Sequence, residues 1–173
     1  MLPLTGIVWL VGVAGCGKST VGPRLALRLH QPFMDLDSCI QAAAGISIAA
    51  IFSGEGEAGF RRREEEALRQ VALGPPPPPV VACGAGVVDQ PGHGQLMAGQ
   101  GIVLWLDVSV DEALARCRRQ PGERPLMVDE EAYGRRLRSR IPLYRALGRR
   151  VDAQAPIQEV VERAMAALNL PSS

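Results

Sequence analysis

Residues Gly12 to Thr20 read GVAGCGKST, and within them Gly12, Gly17, Lys18 and Ser19 satisfy the spacing G-x-x-x-x-G-K-[S/T]. Glycines at this spacing let successive backbone N–H groups turn inward around phosphate oxygens. The Lys18 ammonium then neutralises the terminal phosphoryl group, and the Ser19 hydroxyl is a ligand for Mg²⁺. The flanks supply the context that such a loop requires. Upstream, Ile7-Val8-Trp9-Leu10-Val11 is a continuous apolar run that stops at a glycine, as a strand buried on both faces does. Downstream, Val21, Leu25 and Leu29 recur at i+4 and predict a helix whose positive N-terminal end faces the loop. Gly12, Gly15, Cys16, Gly17, Lys18, Ser19 and Thr20 are therefore the expected nucleotide-binding residues. Cys16 is read as a small side chain at a variable position. Pro23 removes the helical hydrogen bond back to Ser19, which predicts lost stability or a bend in the first turns.

Working outward, further short apolar runs occur at Phe33-Met34, Val80 to Cys83, Ile102 to Leu106 and, more weakly, Arg150 to Asp152. Helical patterns separate them at Phe60 to Leu73, Val110 to Arg119, Glu130 to Gly148 and Ile157 to Leu168. This alternation predicts an α/β protein of three layers, α/β/α, around a five-stranded parallel sheet, the P-loop NTPase arrangement. No internal repeat or boundary divides residues 1–173, so one domain is expected. Pro75 to Pro79 reads as a stiff surface spacer. The stretch at about 120–130 is polar, contains Pro and Gly, lacks apolar periodicity, and is expected to form a small mobile lid.

The 173 residues carry a formal charge of +1, which gives no general attraction to nucleic acid or membrane, so anion binding must come from locally placed groups. Cys16, Cys39, Cys83 and Cys117 show no C-x-x-C spacing, the pattern of reduced thiols in a cytoplasmic protein. The apolar run at Ile7–Val11 is too short to span a bilayer. No long interaction helix is evident, and a monomer is expected. His30 and His93 have no acidic or metal-ligating neighbours and receive no role. Neither a guanine-reading N-K-x-D nor a D-x-x-G switch occurs, which favours transfer to a small-molecule hydroxyl over GTP hydrolysis.

Downstream of the loop the sequence resembles the shikimate kinases. Asp35-Leu36-Asp37 is similar to their D-x-D, and the stretch from Gly45 through Phe52, Gly54 or Gly56-Glu57, Phe60-Arg61 and Glu64 looks like their substrate-binding segment, placed at about 35–65. Gly84-Ala85-Gly86 falls at the family's glycine triplet, Arg124-Pro125-Leu126 resembles the lid motif, and Arg140-Ile141-Pro142-Leu143-Tyr144 resembles its R-x-P-L-Y. The matches run in order from Gly12 to Tyr144 and cover most of the chain.

The resemblance implies ATP as co-substrate, Mg²⁺ as cofactor and shikimate as acceptor. It assigns catalysis to Lys18, Asp37 and Arg124, with Asp37 orienting or deprotonating the attacking hydroxyl. Lid Arg124 closes over the phosphates, and Arg116 flanks adenine. Arg61 and Arg140 take the acceptor's carboxylate, for which a planar guanidinium fork is suited. Gly84, Ala85 and Gly86 line the acceptor, while Ser19 and Asp35 attend the metal.

Plainer alternatives stand beside these roles. Arg61 also fits an ion pair with Glu64 or Glu65 on a solvated helix face, Arg116 a surface helix position, and Asp37 a helix N-cap. Arg140 borders an apolar face of Tyr133, Leu137, Ile141 and Tyr144, with Pro142 freeing the chain to aim it inward. Most of Arg135, Arg136, Arg138 and Arg145 are expected to be exposed. Four features depart from the family: Ala85 replaces the middle glycine, Met127 stands in the lid, Ala153 to Pro156 carries no basic residue, and an insertion around Pro75 lies just before the triplet. The competing functions are a related kinase for gluconate, another polyol acid or a cyclitol, and a non-catalytic nucleotide-binding module.

Overall fold

The computed structural model describes residues 6–119 and 129–169. Arg124, Met127 and nearly all of the expected lid lie outside the described residues.

Five strands form one sheet: β1 (Ile7–Val11), β2 (Phe33–Asp35), β3 (Val80–Ala82), β4 (Gly101–Asp107) and β5 (Arg149–Asp152), in the order β2-β3-β1-β4-β5. Every pairing is parallel, with Trp9 opposite Val81 on one side and Val103 on the other. All five residues of β1 are buried, which is why that segment reads as an unbroken apolar run rather than an alternating one. The chain leaves β1, builds outward to β2, returns through β3 and then crosses to β4. The end of β1 is thus the switch point of the sheet, where open α/β folds receive ligands.

Helices α1 (Lys18–Leu29) and α7 (Ile157–Leu168) pack together against one face of the sheet. On the other face lie α3 (Ile48–Ala72), α4 (His93–Gln100) and α6 (Glu130–Leu147), with α2 (Leu36–Ala44) before α3 and α5 (Val110–Arg119) beside α6. This is the expected three-layer architecture. Trp9, Trp105 and Tyr144 are the largest fully buried side chains of its core. The four cysteines are free thiols, and among the described residues no single helix is long and apolar enough to cross a membrane.

Three local outcomes refine the sequence reading. First, α3 starts at Ile48 rather than Phe60, because Ser47 caps it by accepting the Ala50 N–H at 3.1 Å. Gly56, at φ 68° and ψ −175°, breaks the helical geometry midway and hides the period. Second, the cap of α2 is Asp35, whose Oδ1 accepts the Ser38 N–H at 3.0 Å; Asp37 sits inside the first turn instead. Third, α1 continues through Pro23, which is exposed, so its ring meets no packed neighbour layer.

Candidate active site

The loop from Gly12 to Gly17 owes its shape to positions that a side chain cannot occupy. Gly15 has φ 83°, and a Cβ there would lie 2.3 Å from the Ala113 carbonyl oxygen, so the loop presses directly against α5. Lys18, the first residue of α1, bends back over this loop. Its ammonium donates to the carbonyls of Gly12 at 2.8 Å and Val13 at 3.0 Å, with Cys16 Sγ at 3.5 Å. Carbonyl dipoles, not a carboxylate, hold the charge, and it stays available to an incoming phosphate. Cys16 is buried beneath it.

A cleft of about 1080 Å³ opens above the loop. It is lined by Gly15, Cys16, Gly17, Lys18, Ser19, Thr20 and Asp35 at one end, and by Asp37, Arg61, Gly84, Ala85, Gly86 and Arg140 at the other. Arg116, Ala153 and Ala155 form a side wall, where Arg116 is held by Glu112 at 2.9 Å and by the Ala153 carbonyl at 3.4 Å. Of the residues singled out from sequence, Gly12 supports the loop from behind and Arg124 lies outside the described residues. The fold gathers all the others around one cavity.

Ser19 Oγ donates to Asp35 Oδ2 at 3.2 Å, so one hydroxyl and one carboxylate stand side by side at the phosphate end. Among the described residues no group of three or more His, Cys, Asp or Glu side chains forms a metal cage. Two hard oxygens suit Mg²⁺, which keeps waters and takes its remaining ligands from substrate phosphates.

The acceptor end is built from buried charge. Asp37, on the first turn of α2, faces Gly84, and Glu64 of α3 faces the same glycine. A Cβ on Gly84 would stand 3.3 Å from Asp37 Oδ1 and 3.0 Å from Glu64 Oε1. Glu64 is fully buried, and burial pushes its carboxyl above the usual carboxylate range. Arg61 opposes that rise, Asp37 adds to it, and Arg140 again opposes it. Arg61 bonds Glu64 through Nη1 at 2.7 Å and Glu57 through Nη2 at 3.2 Å, and its guanidinium lies 5.3 Å from the Phe60 ring centroid. The helix-face pairing expected for Arg61 does exist, but the face is the wall of the cleft, with Arg61 only 11 % exposed. Cys83 also lines the cavity, and burial drives its thiol far up, so it stays protonated.

The glycine triplet separates into three different requirements. Gly86 has an ordinary φ of −88°, yet a Cβ there would fall 2.3 Å from Arg61 Nη2: the missing side chain makes room for the guanidinium. Ala85 does not take a positive φ, so alanine sits there without backbone strain. Its carbonyl accepts the Tyr144 hydroxyl at 2.5 Å. The departure at position 85 therefore leaves the segment's geometry intact. Ala85→Gly is expected to leave turnover unchanged while lowering stability by about 0.4–1 kcal/mol through the freer unfolded chain. Thermal melts and steady-state rates on the two proteins check both halves, and a clear gain in turnover would show that the Ala85 methyl obstructs the acceptor.

On α6 the buried stripe is Tyr133, Leu137, Arg140 and Tyr144. Arg140 belongs to this face rather than to its border, and it is 3 % exposed. Its partner is Asp89, bound through Nε to Oδ1 at 3.0 Å and through Nη2 to Oδ2 at 2.6 Å. Nothing in the sequence pattern pointed to Asp89, which follows the triplet in a short 3-10 turn, Val87–Asp89. Arg136 was grouped with exposed arginines, yet it bonds Glu57 and so joins α6 to α3. Arg119, one turn beyond Arg116, also lines the cleft and could have been found by that i+3 spacing. His93 is structural, with Nδ1 3.0 Å from the Val87 carbonyl oxygen.

A phosphate-gripping loop at the switch point of a parallel sheet, opening on a cleft with an acidic group and two arginines beyond it, defines a P-loop kinase. The family model for shikimate kinase matches residues 14–169. A shikimate kinase of Synechococcus sp. (strain RCC307) is 45 % identical over 151 residues, covering 85 % of this chain and 75 % of the relative. The solved shikimate kinase of Acinetobacter baumannii in complex with shikimate superposes with a TM-score of 0.84 at 32 % identity, covering 94 % of this chain and 92 % of that one. This chain belongs to the shikimate kinase family. A gluconokinase from Sinorhizobium meliloti 1021 shares the fold alone, at a TM-score of 0.63 and 19 % identity over 95 % of this chain and 92 % of that one.

Proposed function

We propose that this protein transfers the γ-phosphoryl group of ATP to the 3-hydroxyl of shikimate, giving ADP and shikimate 3-phosphate. The observation that carries the reading is a single cleft that holds Lys18 and Ser19 at one end and Asp37, Arg61 and Arg140 at the other. The acceptor hydroxyl attacks phosphorus in line, its oxygen forming the new P–O bond while the β,γ-bridging oxygen departs with ADP. Asp37 orients that hydroxyl and receives its proton. Lys18 leaves the loop carbonyls for the transferring phosphoryl oxygens, and the N–H groups from Gly15 to Thr20 hold the rest of the triphosphate. Arg140 and Arg61 receive the acceptor's carboxylate, Gly84 to Gly86 let it approach the backbone, and Arg116 flanks adenine. Residues about 35–65 act as the substrate-binding segment. Residues about 120–130 act as the lid that brings Arg124 over the phosphates. Ser19 and Asp35 would hold Mg²⁺, directly or through water; when bound, the ion draws charge from the phosphate oxygens. We further infer a cytoplasmic monomer of one domain, with no nucleic-acid or membrane partner.

A coupled ADP-release assay tests this with ATP and Mg²⁺ against shikimate, gluconate and a nucleoside monophosphate. Saturable turnover on shikimate alone is expected. Absence of that turnover while ATP still binds would overturn the assignment.

A further inference from the structure

Two arginines face the acceptor end of the cleft, and their free edges differ. Arg61 spends both terminal nitrogens on this chain's own carboxylates, Nη1 on Glu64 and Nη2 on Glu57. Arg140 is bound along its side edge only, Nε and Nη2 gripping the two oxygens of Asp89 at 3.0 and 2.6 Å. Among the described residues its Nη1 makes no hydrogen bond, and the residue lines the cleft. The end-on edge, Nη1 with the outer N–H of Nη2, is left for a ligand.

Asp89 stands behind this arrangement. It is not among the described residues lining the cleft, and its side chain is 28 % exposed, against 3 % for Arg140. It thus meets Arg140 from the side away from the acceptor. A second tie runs parallel to the first: four residues on in α6, Tyr144 donates to the Ala85 carbonyl. Arg140 and Tyr144 together bind α6 to the segment 85–89, and of these two ties only the one to Asp89 holds a charged group that lines the cavity.

We propose that Asp89 is the positioning residue for acceptor recognition. It clamps the side edge of Arg140, presents the end-on edge to the acceptor's carboxylate, and leaves Arg140 as the bidentate receiver, while Arg61, with one N–H of each terminal nitrogen held by Glu64 and Glu57, is the secondary donor. Without Asp89 the guanidinium would have to be ordered at the moment of binding, which weakens affinity without touching the chemical step. The inference rests on the reading that Arg140 receives the acceptor's carboxylate.

The test is steady-state kinetics on wild type, Asp89→Ala, Asp89→Glu, Arg140→Ala and the double variant, with calorimetric titration of shikimate alongside. Asp89→Ala is expected to raise the shikimate KM and Kd about tenfold, the scale of one charge-assisted hydrogen bond. The KM for ATP and kcat should stay within about twofold, because the phosphate end of the cleft is untouched. Asp89→Glu, which restores a carboxylate, should recover part of the loss. In the double variant the shikimate KM should equal that of Arg140→Ala alone, since Asp89 acts only through that arginine. If Asp89→Ala does not fold, Asp89→Asn, which keeps the shape and drops the charge, is read by the same ratios. A shikimate KM that stays flat or falls in the Asp89 variants would overturn the proposal, as would a further rise on top of Arg140→Ala. Lack of shikimate turnover by wild type itself would instead strike the functional reading.

Discussion

Lys18→Ala is expected to lower kcat by about 10³-fold or more, since removing even a neutral donor from a developing oxyanion costs about 10²–10³. Lys18 supplies a full positive charge, and its contacts in this structure are the carbonyls of Gly12 and Val13 and the Cys16 sulfur. No opposing carboxylate has to be displaced when it turns to the phosphate. Nor does any neighbouring cation lie close enough in the loop to replace it. Folding should be little affected, because the backbone turn is set by Gly12, Gly15 and Gly17 at φ 145°, 83° and 104° rather than by the ammonium. Single-turnover measurements with saturating ATP and shikimate isolate the chemical step. A loss below tenfold would remove Lys18 from phosphoryl stabilisation.

Arg140→Ala should act at the other end of the cleft and on a different constant. Of Arg61 and Arg140, it is Arg140 whose end-on edge is unengaged among the described residues, so truncation removes charge-assisted hydrogen bonds worth about 1.5–3 kcal/mol each, or one to two decades in binding. The expected result is a shikimate KM raised about 10–100-fold, with a much smaller change in kcat and none in the KM for ATP. The partner left behind is Asp89, whose side chain is 28 % exposed and can rehydrate, so the variant should fold. Arg140→Lys should recover little, because an ammonium cannot grip Asp89 and a second carboxylate with separate edges. An unchanged shikimate KM in Arg140→Ala would remove this arginine from acceptor binding.

The phosphate end was legible because its determinants are local. Gly12 to Ser19 are contiguous, and the strand before them and the helix after them announce themselves by burial pattern and period. The acceptor end is assembled from four separate elements, and resemblance rather than pattern located Asp37, Arg61 and Arg140. What stayed hidden were the pairings. Asp89 and Arg140 lie far apart in the chain and meet only because the turn after β3 packs on α6. Glu57 finds Arg136 in the same way, across two helices. Helical propensity also misled at Gly54, Gly56 and Gly59: two helical segments meet at the kink at Gly56, the first capped by Ser47 and anchored by buried Ile51, the second by buried Phe60. The D-x-D likewise concealed a division of labour: Asp35 both caps α2 and bonds Ser19, while Asp37 lies inside the first turn and lines the cleft beside Gly84.

A run of small residues next to an active site is commonly treated as a signature, to be matched letter by letter. In this chain Gly84, Ala85 and Gly86 record clearances instead. An added Cβ at 84 would approach two carboxylate oxygens and at 86 would strike a guanidinium, whereas position 85 already carries one without displacement. The first and last positions are fixed by charged neighbours that line the cleft, and the middle one is free of that constraint. Position 85 lines the cavity without supporting its charged groups. It is therefore the place where the shape of the cavity can change by a methyl group while Arg61 and Asp37 stay where they are.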